Sequence, residues 1–165
     1  MRSQFDLERA EFPEYSHHEA CEVLGCSSNA LQLLNKRGFA RLSMQHSGIA
    51  PESSKKQRGK GRRYSIADLT HLGLFQIIAR YMHQKDAAET ARIAVPAILQ
   101  TWFTSGRKDD GYLVFSQVGA MYAASFFPHA NLTEQLNAGE LVIVSLAPLA
   151  ARLFDGITNV AARRK

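Results

Sequence analysis

The chain has 165 residues, 45% of them apolar, and its 20 Lys and Arg against 15 Asp and Glu give a formal charge of +5. That apolar content supports a buried core in one domain or two small ones and excludes disorder throughout. No apolar run approaches the roughly 20 residues of a transmembrane helix, the longest being Val118 to Phe127, and the N-terminus carries Asp6, Glu8, Glu11 and Glu14 rather than a basic, apolar signal; a soluble cytoplasmic protein with no membrane partner is expected.

Charge is unevenly spread. Residues 1–22 hold two basic and six acidic side chains, residues 23–85 eleven and two, and residues 86–165 seven and seven. A basic middle of that density suits a polyphosphate partner. Six of the nine residues from Lys55 to Arg63 are basic, none is acidic, and two are glycine, so this stretch is excluded from any core.

In chain order, Ser16-His17-His18-Glu19 has the form of a capping box, and Gly25 is placed to end the helix that follows, with Ala20, Cys21, Val23 and Leu24 as its apolar face. Cys21 and Cys26 are too few and too close for a disulfide framework. With His17 and His18 nearby a metal site is conceivable, but the spacings are wider than those of a closed zinc site; the thiols are expected to pack as small hydrophobes, with no metal bound. Ser27 or Ser28 caps a second helix, closed by Gly38, that turns Ala30, Leu31 and Leu34 inward and Ser28, Asn29, Gln32, Asn35 and Lys36 outward. Two short helices around Gly25-Cys26-Ser27 fit a helix-turn-helix or a plain helical hairpin.

Phe39 to Leu42 alternates like a short strand, and the basic stretch then leads through Arg62-Arg63-Tyr64 to a second capping pattern, Ser65 with Asp68. Strand, loop and return strand would make a wing. Ile66, Leu69, Leu72, Ile77, Ile78 and Tyr81 carry a helical period to about residue 84. Asp86 is placed to cap a further helix that Pro96 would kink or split, with Trp102 and Phe103 covering the core. Thr104 to Gly111 is a linker. Beyond it, Tyr112 to Phe115 reads as a strand, Ala120 to Phe127 as a strand or short helix, Leu132 to Asn137 as a helical turn, and Leu141 to Leu146 as a buried strand. Pro148 opens a last helix whose Leu149, Leu153, Phe154 and Ile157 share one face.

The succession Ala-Cys-Glu-Val-Leu-Gly-Cys-Ser, Ala-Leu-Gln-Leu-Leu-Asn-Lys-Arg-Gly-Phe and Gly-Arg-Arg-Tyr-Ser-x-x-Asp-Leu resembles the winged helix-turn-helix of MerR-type transcriptional regulators over about residues 15–95. Arg62 to Leu69 is its most specific part. The resemblance implies a second helix in the major groove, a wing on the backbone or minor groove, and a dimer on a pseudo-palindromic site. Two departures stand out: Gln32-Leu33-Leu34 replaces the family's Arg-Tyr followed by a second aromatic, and residues 43–54 lengthen the wing. The family dimerises through a long antiparallel helix, for which no long heptad run is apparent.

The sequence lacks a Gly-x-x-x-x-Gly-Lys-Ser/Thr loop, a Gly-x-Gly-x-x-Gly, a His-Glu-x-x-His and a Gly-x-Ser-x-Gly. His46, His71, His83 and His129 stand apart from acid or nucleophile partners and are expected at the surface or on helix faces. No catalytic residue or cofactor is assigned.

The expected fold is α+β: a winged helix-turn-helix domain with its following helices over residues 15–103, then a small α/β unit over 112–165 for dimerisation or effector binding. The expected function is sequence-specific binding of double-stranded DNA by a dimeric transcriptional regulator that also contacts RNA polymerase or an effector. Ser28, Asn29 and Gln32 are the candidates for base readout. Lys36, Arg37 and Arg41 would hold the flanking backbone, Lys55, Lys56, Arg58, Lys60, Arg62 and Arg63 would neutralise phosphates, and Tyr64 completes the DNA-binding set. Two other readings fit the same residues: an architectural or excisionase-like DNA-bending factor, and a module that grips an acidic protein.

Overall fold

Local signals set the ends of the first two helices. A computed structural model describes residues 10, 12–39, 63–104, 111–118, 121–127 and 141–164. Helix α1, His17–Leu24, opens on the Ser16 capping box and stops at Gly25, whose φ of 63° is left-handed. The Gly25 N–H donates to the Glu22 carbonyl and the Cys26 N–H to that of Cys21, the double bond of a Schellman motif, in which the residues playing the parts of Cys21 and Cys26 are brought together. Helix α2, Ser28–Lys36, is capped by Ser27. It stops in the same way at Gly38 (φ 81°), with Gly38 N–H bonded to Asn35 and Phe39 N–H to Leu34.

Helix α3, Ile66–Ile78, is the central element. Its Ser65–Asp68 capping box is buried, and every residue from Ile66 to Phe75 is buried. A helix enclosed on all sides needs its polar groups satisfied inside the protein: Asp68 accepts from Ser65 N and Oγ, Thr70 Oγ1 donates to the Ile66 carbonyl, and His71 Nε2 donates to the Phe39 carbonyl at 2.7 Å, while His71 Nδ1 is buried with no partner among the described residues. His71 is thus a core residue and not a surface one. Burial pushes its pKa below the ordinary 6.5. The helix ends at Ile78, short of residue 84, and Tyr81 lies beyond it, exposed.

Helix α4, Gln84–Thr104, corrects two expectations. It starts two residues before Asp86, with Ala87 N–H bonded to the His83 carbonyl, so Asp86 lies in the first turn instead of capping it. Pro96 does not split it. The proline is on the exposed face, where water can take the carbonyl that its missing N–H leaves free.

Strands β1 (Tyr112–Val118), β2 (Met121–Phe127) and β3 (Leu141–Ser145) form an antiparallel sheet in the order β2-β1-β3. Register pairs Val118 with Met121 and Tyr112 with both Phe127 and Ser145, which settles 121–127 as strand. Helix α5, Ala147–Arg163, has Pro148 in its first turn and buries Leu149, Ala150, Leu153, Phe154, Ile157 and Val160. The described residues thus make an α+β protein. Of the expected strand at residues 39–42 only Phe39 is described, in a turn, and the turn at 132–137 lies outside the described residues.

The packing of α5 joins 15–103 and 112–165 in one core. This helix lies on α1 and α3, while α4 packs on α3 and β2. At the α1 crossing a Cβ on Gly156 would sit 3.0 Å from Val23 Cα, so only glycine lets the two backbones come so close.

Past its last turn α5 grips α1 by charge. Arg164 donates to both Glu19 oxygens (2.9 and 2.8 Å) and to the Glu14 carbonyl (2.9 Å), and its guanidinium lies 5.3 Å from the Tyr15 ring centre; Arg163 pairs with Glu22. The Arg164 bonds hold the Glu19 carboxyl down at about 2 from its ordinary 4.5. A lowered carboxylate pKa stabilises the fold above the unfolded value and loses that contribution as pH falls through the folded one. Removal of the guanidinium by Arg164→Ala is therefore expected to lower stability by about 0.5 kcal/mol at pH 6, the scale of a largely solvated pair. In urea titrations the gap between the two proteins closes as pH falls from 4.5 toward 2. A gap that stays constant over that range would mean the pair adds nothing.

Candidate nucleic-acid interface

Helix α2 gives the core almost nothing. Of its nine residues only Leu31 is buried, whereas Ser28, Asn29, Gln32 and Lys36 are exposed, as is Arg37 just after it. Ala30, expected to point inward, is exposed too, and Leu33 is 47% exposed. Asn35, expected outward, turns in. The helix is thus a polar ridge fixed to α1 by the three residues Gly25, Cys26 and Ser27.

What holds it is a chain of hydrogen bonds centred on Tyr64. Asn35 Nδ2 donates to the Tyr64 hydroxyl at 2.6 Å, that hydroxyl is 3.2 Å from His17 Nδ1, and His17 Nε2 is 2.9 Å from Ser28 Oγ. A consistent assignment gives the hydroxyl proton to Nδ1 and leaves Nε2–H to donate to Ser28. Tyr64 itself is fully buried, and its backbone pairs with Tyr15 through N–H to carbonyl bonds of 2.8 and 2.9 Å. Its side chain, expected among the DNA contacts, faces α1 and α2 and is enclosed between them.

The cationic candidates divide. Lys36 and Arg37 are exposed at the end of α2, where Arg37 Nη1 donates to Gln84 Oε1 at 3.0 Å and so ties α2 to the start of α4. Arg63 is exposed and uses one nitrogen on the Glu14 carbonyl (3.1 Å), leaving further donors. Arg41, Lys55, Lys56, Arg58, Lys60 and Arg62 lie outside the described residues. The nearest acidic side chains of α1 are already spoken for, since Glu19 and Glu22 face the arginines of α5. Their charge is therefore offset where an anion would approach α2.

Beside the turn is an open cleft of about 750 Å³ lined by His17, His18, Cys21, Cys26, Ser28 and Arg163 among others. Both cysteines are free and half-buried. Burial raises the Cys21 thiol, and burial followed by the neighbouring Cys21 raises Cys26 to about 11, which keeps both protonated at neutral pH. Among the described residues no three His, Cys, Asp or Glu side chains group as metal ligands, and no helix is long and apolar enough to cross a membrane.

Sequence reasoning missed His17 and Asn35 as members of this constellation. Their partners lie 11, 29 and 47 residues away, and no local pattern connects them. No family model matches the chain, and neither does any curated protein.

Proposed function

We propose that this protein is a sequence-specific DNA-binding transcriptional regulator, a winged helix-turn-helix of MerR type acting as a dimer. Helix α2 enters the major groove and residues 55–63 lie along the phosphates. The observation that carries the reading is the exposure of α2. A nine-residue helix that buries one leucine gains little from the core, and it presents Asn29, Gln32 and the Ser28 hydroxyl on a ridge about 13 Å long, which fits a groove about 12 Å wide.

The basic stretch next in sequence supplies the sequence-independent attraction, and the amides supply the choice of base. Titration of duplex DNA at increasing salt tests the first part. Affinity is expected to fall linearly on a double-logarithmic plot, by about 0.9 for each phosphate neutralised. Gln32→Ala tests the second: loss of a bidentate amide contact costs about 1–3 kcal/mol on a duplex enriched from a random pool and little on a shuffled one. Equal losses on both would make Gln32 a backbone contact, and no duplex binding at any salt would leave an acidic protein as the partner.

A further inference from the structure

Helix α2 has too little apolar contact to set its own tilt, yet base readout demands a defined one. Leu31 is the one fully buried residue of α2 and Leu34 packs against the core only in part, so two adjacent apolar contacts leave its tilt to be set by polar ones. Two of its residues are held from inside, Ser28 by His17 and Asn35 by Tyr64. Seven residues apart, they share one face of the helix about 10 Å from each other. One anchor would leave a pivot, while two define an axis.

Both anchors converge on one hydroxyl. Asn35 contacts it directly, and Ser28 through the His17 ring. Asn35 Oδ1 is buried with no hydrogen-bond partner among the described residues, so the hold on that amide comes through its Nδ2 bond to Tyr64. Tyr64 can serve as a fixed point because its side chain is fully buried and its backbone is paired to Tyr15 on both sides. We infer that the Tyr64 hydroxyl and the His17 ring are positioning groups that hold α2 at the angle its base contacts require, Tyr64 serving both ends of the helix. This rests on the DNA-binding reading for its functional consequence and on the hydrogen-bond geometry alone for the positioning.

Tyr64→Phe removes the hydroxyl with almost no change of shape, and Ser28→Ala removes the outermost member from an exposed position whose loss leaves the core intact. The DNA-independent readout is amide hydrogen exchange of residues 27–37 against residues 66–78 in the full chain. Tyr64→Phe is expected to speed exchange in the first segment about tenfold and to leave the second unchanged; equal protection of α2 in variant and wild type would overturn the positioning role. The second readout uses a duplex enriched by the wild-type protein from a random 20-base-pair pool and a shuffled duplex of the same composition. Discrimination between them is expected to drop about tenfold in Tyr64→Phe, with affinity for the shuffled duplex within about twofold. Adding Ser28→Ala should cost less than the product of the single effects, because both act through one chain of bonds.

Loss on both duplexes alike, or strictly multiplicative effects, would overturn the inference. If Tyr64→Phe lowers the protection of residues 66–78 as well, the variant has lost its fold, and Ser28→Ala decides through exchange, which a lost base contact does not move: unchanged protection of α2 would overturn the inference. If the wild-type protein enriches no duplex, the DNA-binding reading fails, and the exchange experiment still decides the positioning role.

Discussion

Truncation of Trp102 to alanine is expected to cost about 4 kcal/mol of stability and to lower the melting temperature by about 8–16 °C for a chain of this length. Trp102 is 2% exposed and is among the largest enclosed side chains in the protein. Its ring meets that of Phe154 edge-on, with centroids 5.6 Å apart and planes at 64°, a geometry that adds about 1 kcal/mol to the burial itself. The two rings come from α4 and α5, helices long enough to resist collapse around a vacated site. The cavity would therefore persist, and the cost should sit toward the upper part of the range for aromatic deletions. Urea and thermal unfolding of the variant would check this. A loss below about 1 kcal/mol would show that the α4–α5 junction is not packed as described.

The second large effect concerns binding. Replacing Lys60, Arg62 and Arg63 together by alanine should weaken duplex binding about a hundredfold at 0.1 M salt and reduce the salt slope by about 2.7, three phosphate contacts at 0.9 each. Of the three, Arg63 has a described position: exposed, with one guanidinium nitrogen on the Glu14 carbonyl and the rest available. Because these contacts position rather than specify, the loss should be nearly the same on enriched and shuffled duplexes, the opposite of the behaviour expected for Gln32→Ala. A slope identical to that of the wild type would remove the basic stretch from the interface. DNA bending without any effect on transcription would instead favour the architectural role.

What the sequence disclosed was what its neighbours in sequence decide. Ser16 with Glu19, Ser65 with Asp68, and Gly25 and Gly38 announced helix ends because caps are satisfied within three to five residues. The face of α5 was legible for the same reason, since Leu149, Leu153, Phe154 and Ile157 repeat at helical spacing.

The misreadings lie where a distant partner overrides a local preference. Tyr64 follows two arginines and shares their expected DNA-binding role, yet it is fully buried and its hydroxyl meets residues 29 and 47 positions away. Asn35 falls on the polar side of α2 by periodicity but is drawn inward by the same hydroxyl, and Ala30 is left exposed because none of the described residues covers that side of so short a helix. His71, expected at the surface or on a helix face, is on a helix but buried, where the Phe39 carbonyl, 32 residues away, takes its bond. The start of α4 at Gln84 carries no capping side chain of the usual kind, so Asp86 as cap drew the boundary three residues late. For the candidate site, the exposed face of α2 was legible from Ser28, Asn29 and Gln32, and the means of holding that helix was not.

The grip of α5 on α1 also orders events during folding. Arg163 and Arg164 meet Glu22 and Glu19 across 141 and 145 residues of chain, and Gly156 meets Val23 in the same contact. Closing a loop of that length is entropically costly and kinetically slow. On the ribosome α1 emerges before α5, so the surface of α1 that receives α5 stays open until residues 147–164 have been made. Val23, which meets Gly156 of α5, lacks that cover over the same interval. The exposed polar ridge of α2 thus hangs on a neighbour, α1, whose own packing is completed only when α5 closes on it.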